Sequence, residues 1–117
     1  NYGLSSACSS GHMDIVNLMI SKGSDDWNWG LYNACEGGHM DIVNLMISKG
    51  ANDWNESLIS ACSYGHIDIV HLMISKGASV EELSSNMLKK YANYLEIIKI
   101  IKEIDYNEYL LKELLEY

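Results

Sequence analysis

The sequence predicts an all-α solenoid of stacked helix pairs, and three observations predict it. "GHMDIVNLMISKG" at residues 11–23 returns unchanged at 38–50, and a near-copy, "GHIDIVHLMISKG", fills 65–77. The spacing never drifts: Cys8, Cys35 and Cys62 recur in step with His12, His39 and His66 and with Gly23, Gly50 and Gly77. Each copy is also too apolar to stand alone. A constant period of about 20 to 50 residues whose units must cover one another is the mark of a repeat array.

Each unit divides into two short helices. In the first, Leu4, Ala7 and Cys8 fall at i, i+3 and i+4, one apolar stripe, and Leu31, Ala34, Cys35 and Leu58, Ala61, Cys62 repeat it. Gly11, Gly38 and Gly65 end this helix, since glycine accepts the left-handed backbone of a helix stop without steric cost. The second helix follows at once. Asp14 falls in its first turn and Lys22 in its last, each placed to favour the helix dipole. Ile15, Val16, Leu18, Met19 and Ile20 cover most of its circumference, leaving Asp14, Asn17 and Ser21 as a narrow polar stripe. A helix so nearly apolar all round has to be covered on several sides. Gly23, Gly50 and Gly77 terminate it.

The pattern L-x-x-A-C-x-x-G-H-x-D-I-V-x-L-M-I-x-x-G resembles the ankyrin repeat over residues 2–80. The links "GANDWNESL" and "GSDDWNWGL" are similar to those in tandem ankyrin-type arrays of large DNA viruses of amoebae. A standard repeat runs about 33 residues and opens on T-P-L-H, so this period is roughly six residues shorter and its opening is replaced. The resemblance therefore implies three units, 1–26, 27–53 and 54–80, whose projecting hairpin finger is trimmed to a bare loop. It also implies a concave surface lined by the first helices and the loops before them.

After Gly77 the pattern decays into a degenerate fourth unit and a cap over 81–117. "YANYLEIIKIIKEI" (91–104) echoes "CSSGHMDIVNLMIS" (8–21), with Asn93-Tyr94 where Gly-His stood; asparagine is the next residue best suited to a left-handed position. A last helix, about 106–117, places Tyr106, Tyr109, Leu110, Leu114 and Tyr117 on one face, with a Glu108–Lys112 pair on the other. A polar outer face is what a terminal unit requires. No matching cap precedes Asn1, so the N-terminal edge is expected to continue in a longer parent chain or to meet a partner.

Charge narrows the function classes. Sixteen acidic residues against eight lysines, with no arginine, give a formal charge of −8. Nucleic acid and anionic membranes both call for a cationic surface, and arginine is the residue most used to read guanine. Neither is an expected partner. No run approaches the ~18 apolar residues of a membrane span. Three cysteines in apolar helical settings read as reduced thiols of an intracellular, cytoplasmic protein.

The repeated Cys-x-x-x-His pairs (8/12, 35/39, 62/66) invite a zinc reading, and spacing argues against it. Stacked helices lie about 8–10 Å apart, whereas zinc ligands converge at about 2.0–2.3 Å and disulfide-bonded Cα atoms within about 7 Å. The cysteines are read as buried hydrophobes and the histidines as satisfying a free backbone group of the turn. A catalytic triad is asymmetric, while these residues recur in every unit; no phosphate loop or nucleophile elbow occurs. No catalytic residue, metal site or cofactor is expected. His71, in step with Asn17 and Asn44, falls on a solvated face. Trp27 and Trp54 recur in step and are expected to plug the groove between units.

Positions that vary between units are released from the demands of stacking. They read Tyr2/Trp29/Glu56, Ser5/Tyr32/Ile59, Ser9/Glu36/Ser63 and Ser10/Gly37/Tyr64. Trp and Tyr are enriched among interface hot spots. Trp29, Tyr32, Glu36, Ile59, Ser63 and Tyr64 are therefore the expected partner-binding residues of a non-enzymatic protein–protein interaction module. The resemblance implies a scaffold or adaptor whose protein partner belongs to a host cell. The alternative is an assembly component that self-associates by stacking through its N-terminal edge.

Overall fold

A computed structural model describes residues 2–81 and 83–93. Six helices follow in pairs: α1 (Tyr2–Ser10) with α2 (Met13–Ser21), α3 (Trp27–Gly37) with α4 (Met40–Ser48), and α5 (Trp54–Ser63) with α6 (Ile67–Ser75). Among the described residues there is no strand, and the links at 22–26 and 49–53 are short turns without a hairpin. The solenoid is all-α. The chain divides into two compact units, Asn1–Leu83 and Ser84–Tyr117. In the second, residues 85–93 are helical, started by Ser84, whose hydroxyl accepts the Met87 N–H at 3.3 Å. The expected terminal helix at 106–117, and most of the echo at 91–104, lie outside the described residues.

Both helix stops in every unit use the same chemistry. Gly11, Gly38 and Gly65 take φ of 78°, 77° and 76°, which lets the following His N–H reach five residues back to Ala7, Ala34 and Ala61 at 2.9–3.0 Å. Gly23, Gly50 and Gly77 repeat the device for the second helices, with Ser24, Ala51 and Ala78 donating to Met19, Met46 and Met73 at 3.0 Å. Such six-to-one bonds satisfy helix-end carbonyls that would otherwise be orphaned. Lys22 is the C-cap residue of α2, one step beyond the last turn where the sequence placed it.

The first helices stack in a row, α1 on α3 and α3 on α5, and each packs on the second helix of its own pair. Leu4, Cys8, Leu31, Ala34, Cys35, Leu58 and Ala61 are buried at those contacts, so the i, i+3, i+4 stripe is the stacking face. Each buried leucine contributes about 1.5–3 kcal/mol. Leu31→Ala, in the central helix, would open a cavity costing about 2–5 kcal/mol.

The second helices are not equally covered. Ile42 and Ile69 are fully buried, whereas Ile15, the same residue in the first unit, is 41% exposed and Leu18 is 49% exposed. The expectation that α2 is apolar on covered sides holds for α4 and α6 and fails here. Ile42 and Ile69 each follow another helix pair, and among the described residues no pair stands before Ile15.

Backbone-directed side chains tie one unit to the next. His39 Nε2 lies 3.1 Å from the Ser9 carbonyl oxygen, and His66 Nε2 lies 3.0 Å from that of Glu36. The histidine does satisfy a free backbone group, but of the preceding unit rather than of its own turn. The rings rest on Gly11 and Gly38, where an added Cβ would come within 2.5 Å of His39 and His66. At the start of each second helix the histidine makes no capping bond, and the first-turn aspartate accepts a backbone N–H instead. Asp14, Asp41 and Asp68 each accept the next residue's N–H at 2.9 Å. In the other direction, Asn28 Oδ1 accepts the Asn52 and Asp53 N–H groups at 2.7 and 3.1 Å, and Asn55 Oδ1 accepts the Ser79 N–H at 2.7 Å. These bonds fix where the following first helix begins.

Candidate binding face

The residues expected to bind a partner all lie on α3 and α5 or at their C-terminal ends. Trp29 and Tyr32, one turn apart on α3, stack with ring centroids 5.3 Å apart and planes only 3° from parallel. Trp29 is 48% exposed even so, and the Asn33 side-chain amide donates to its carbonyl at 2.8 Å. Tyr32 is half-buried, and its carbonyl accepts the Ser60 hydroxyl at 3.2 Å, tying α5 to α3.

The other four are more dispersed. Ile59 and Glu36 are half-buried and Ser63 is exposed. Tyr64 is the C-cap residue of α5 and, at 59% exposure, the most exposed large hydrophobic side chain among the described residues. Glu36 also has a structural duty through its carbonyl, which meets His66. Tyr64 stands in step with Gly37, where a Cβ would run into the Ser9 carbonyl oxygen and the His39 ring. The third unit carries the larger residue as the C-cap of a helix that ends one position earlier in register than α3.

Two hollows flank Trp29. One, of about 310 Å³, is lined from α3 by Asn28, Trp29 and Tyr32 and from the start of α5 by Asp53 and Glu56. The other, of about 260 Å³, is lined by Ser5, Ser6, Ser9 and Ser10 of α1 with Trp29 and Asn33. The structure thus brings Trp29 and Tyr32 together in one hollow and leaves Glu36, Ile59, Ser63 and Tyr64 outside it. It adds Asn28, Asp53 and Glu56, which sequence reasoning did not place in the site. The available signal was the recurrence of Asn28 and Asn55 in step, since a polar residue copied in register between stacked units is held there by a bond.

The remaining constellations are structural. Cys8, Cys35 and Cys62 are free and buried. Burial pushes the Cys8 thiol up to about 11 and the Cys35 thiol to about 12, the nearby Ser57 hydroxyl lowering the latter by less, and raises Cys62 in the same direction. These are inert thiols rather than nucleophiles. Among the described residues no three His, Cys, Asp or Glu side chains come together as a metal would require. Trp27 and Trp54 are half-buried, and Lys49 of the same unit places its Nζ 6.0 Å from the Trp27 ring centre. His71 is exposed, as its outer position implied. No helix among the described residues is long and apolar enough to cross a membrane.

Comparison with known proteins gives one result. A family model described as ankyrin repeats, three copies, matches the chain twice, over residues 4–84 and 31–113, the second match beginning one repeat after the first. No curated protein sequence matches.

Proposed function

Since the chain belongs to the ankyrin repeat family, whose members generally act in protein–protein interaction, we propose that it is a non-enzymatic binding module acting as a scaffold or adaptor. The partner is a protein, bound on the first-helix face through Trp29, Tyr32, Glu36, Ile59, Ser63 and Tyr64. The observation that carries this reading is the exposure of two large aromatics, Trp29 at 48% and Tyr64 at 59%, on positions where the repeats differ. Stacking does not explain them, and exposed aromatics on a rigid frame lower the ordering cost of binding. The acidic balance of the chain favours a partner with a basic surface. Three reduced, buried thiols support an intracellular, cytoplasmic setting, and the similarity of the links to arrays of amoebal viruses favours a host-cell protein. That the family match runs on to residue 113 supports a degenerate fourth repeat after residue 80.

Affinity capture from the native cellular context tests the reading. A specific partner retained by the intact chain should be lost on Trp29→Ala with Tyr64→Ala. Equal recovery by both proteins would reject this face.

A second reading, assembly through the edge formed by α1 and α2, is favoured by the exposure of Ile15 and Leu18. It predicts a mass that rises with concentration in light scattering and returns to the monomer value with Ile15→Glu and Leu18→Glu. A monomer throughout would reject it.

A further inference from the structure

The hollow between α3 and the start of α5 is the most distinctive chemistry on the binding face. Its α3 wall is aromatic, the stacked pair of Trp29 and Tyr32. Its α5 wall is anionic. Asp53 is the N-cap residue of α5 but its side chain makes no capping bond, and Glu56 lies in the first turn. Both are exposed and form no ion pair or hydrogen bond through their carboxylates among the described residues. Acidic side chains at a helix start ordinarily complement the dipole. Here that positive end is equivalent to about half a charge, against two full negative charges, so the hollow stays strongly anionic.

The combination occurs at one junction. One repeat earlier the corresponding residues are Asn1, Tyr2, Ser5, Asp26 and Trp29; one repeat later they are Asn55, Glu56, Ile59, Val80 and Leu83. Only the junction between 27–53 and 54–80 sets two aromatics against two carboxylates. The asparagine, common to all three sets, is the structural member: Asn28 holds the α5 start by accepting the Asn52 and Asp53 N–H groups. The varying members are those free to serve a ligand.

We propose that this hollow receives the guanidinium group of an arginine side chain presented by the protein partner. A volume of about 310 Å³ is at the small end of ligand pockets and suits one side chain. A planar cation gains by stacking on a Trp or Tyr face, and its fork of donors suits two carboxylates better than the point charge of lysine does. The inference rests on the protein-binding reading above and deepens it by naming what the partner contributes.

The test uses the isotopically labelled chain in solution with two probes, N-acetyl-arginine-N-methylamide and its citrulline counterpart, which has the same shape without the charge. Resonances of the Trp29 indole N–H and the Glu56 amide should shift saturably with the arginine probe and at least tenfold more weakly with citrulline. Asp53→Asn with Glu56→Gln should weaken arginine binding about tenfold while leaving the unfolding midpoint close to that of the parent. Equal responses to the two probes, no response at these residues, or tighter binding of a trimethyllysine probe would each overturn the assignment. Partner capture separates the two readings. A partner lost with Trp29→Ala and Tyr64→Ala but retained by Asp53→Asn with Glu56→Gln removes the arginine pocket and keeps the face. Arginine binding without any captured partner keeps the pocket and removes the adaptor reading.

Discussion

His39→Ala and His12→Ala delete the same side chain from the same place in two units, so their comparison isolates what stacking contributes. His39 loses a bond to the Ser9 carbonyl at 3.1 Å, worth about 1 kcal/mol net for a partly buried pair. It also uncovers Gly11, on which its ring rests, forfeiting roughly another 1 kcal/mol of packing. His12 is exposed and has no preceding carbonyl among the described residues. The expected costs are about 2 kcal/mol for His39→Ala and under about 0.5 kcal/mol for His12→Ala. His66→Ala, which breaks the matching bond to Glu36, should resemble His39→Ala. Urea titration followed by far-UV circular dichroism reads the difference. With a slope of about 1–3 kcal/mol per molar, the midpoint should fall by about 1 M for His39→Ala and scarcely move for His12→Ala. Equal losses at all three positions would refute the reasoning, because the histidine would then be serving its own turn.

Two further outcomes follow from the core. Ser57 Oγ is buried beside the Cys35 thiol, a weak acceptor, and makes no stronger hydrogen bond, so Ser57→Ala should raise the urea midpoint, by up to about 1 kcal/mol of stability, whereas Gly30→Ala, in the matching position of the second unit, should lower it. There a Cβ would stand 2.6 Å from Met46 Sδ, an overpacking cost of about 1–3 kcal/mol. The cysteines set a pH dependence. Their folded pKa values are raised above 9.0, so the unfolded chain ionises first, and the cysteine contribution to stability should be fully present below about pH 8 and be lost as pH climbs through 9 toward 11. A thiol-reactive dye at neutral pH should label all three only as fast as the chain opens; rapid labelling of native protein would contradict their burial.

Periodicity made the architecture legible because every unit solves the same packing problem. The stripe at Leu4, Ala7 and Cys8 and the glycines at 11 and 23 each specify a helix face or a helix stop, and those features are local. What escaped the sequence was non-local. The His39 partner lies 30 residues back and the Asn28 partners 24 and 25 residues ahead, beyond any helical window. The exposure of Ile15 was hidden because its residue and those around it are the same as at Ile42, and only the packing of a neighbouring pair separates them. For the candidate face, variation between copies pointed to Trp29 and Tyr32, which share a hollow, but not to Asp53. That aspartate is shared with Asp26 and changes only at Val80, where the repeat decays, so nothing set it apart, although it lines the hollow.

The forward reach of Asn28 and Asn55 and the backward reach of His39 and His66 join like positions of consecutive units. Among the described residues each kind of bond recurs at two successive junctions. A gene segment encoding one whole period, copied in frame, would arrive with a hook for the unit before it and an eye for the unit after it. Such a chain can grow or shrink by duplication and deletion while its joints stay intact, leaving the varied first-helix positions to diverge in each new copy.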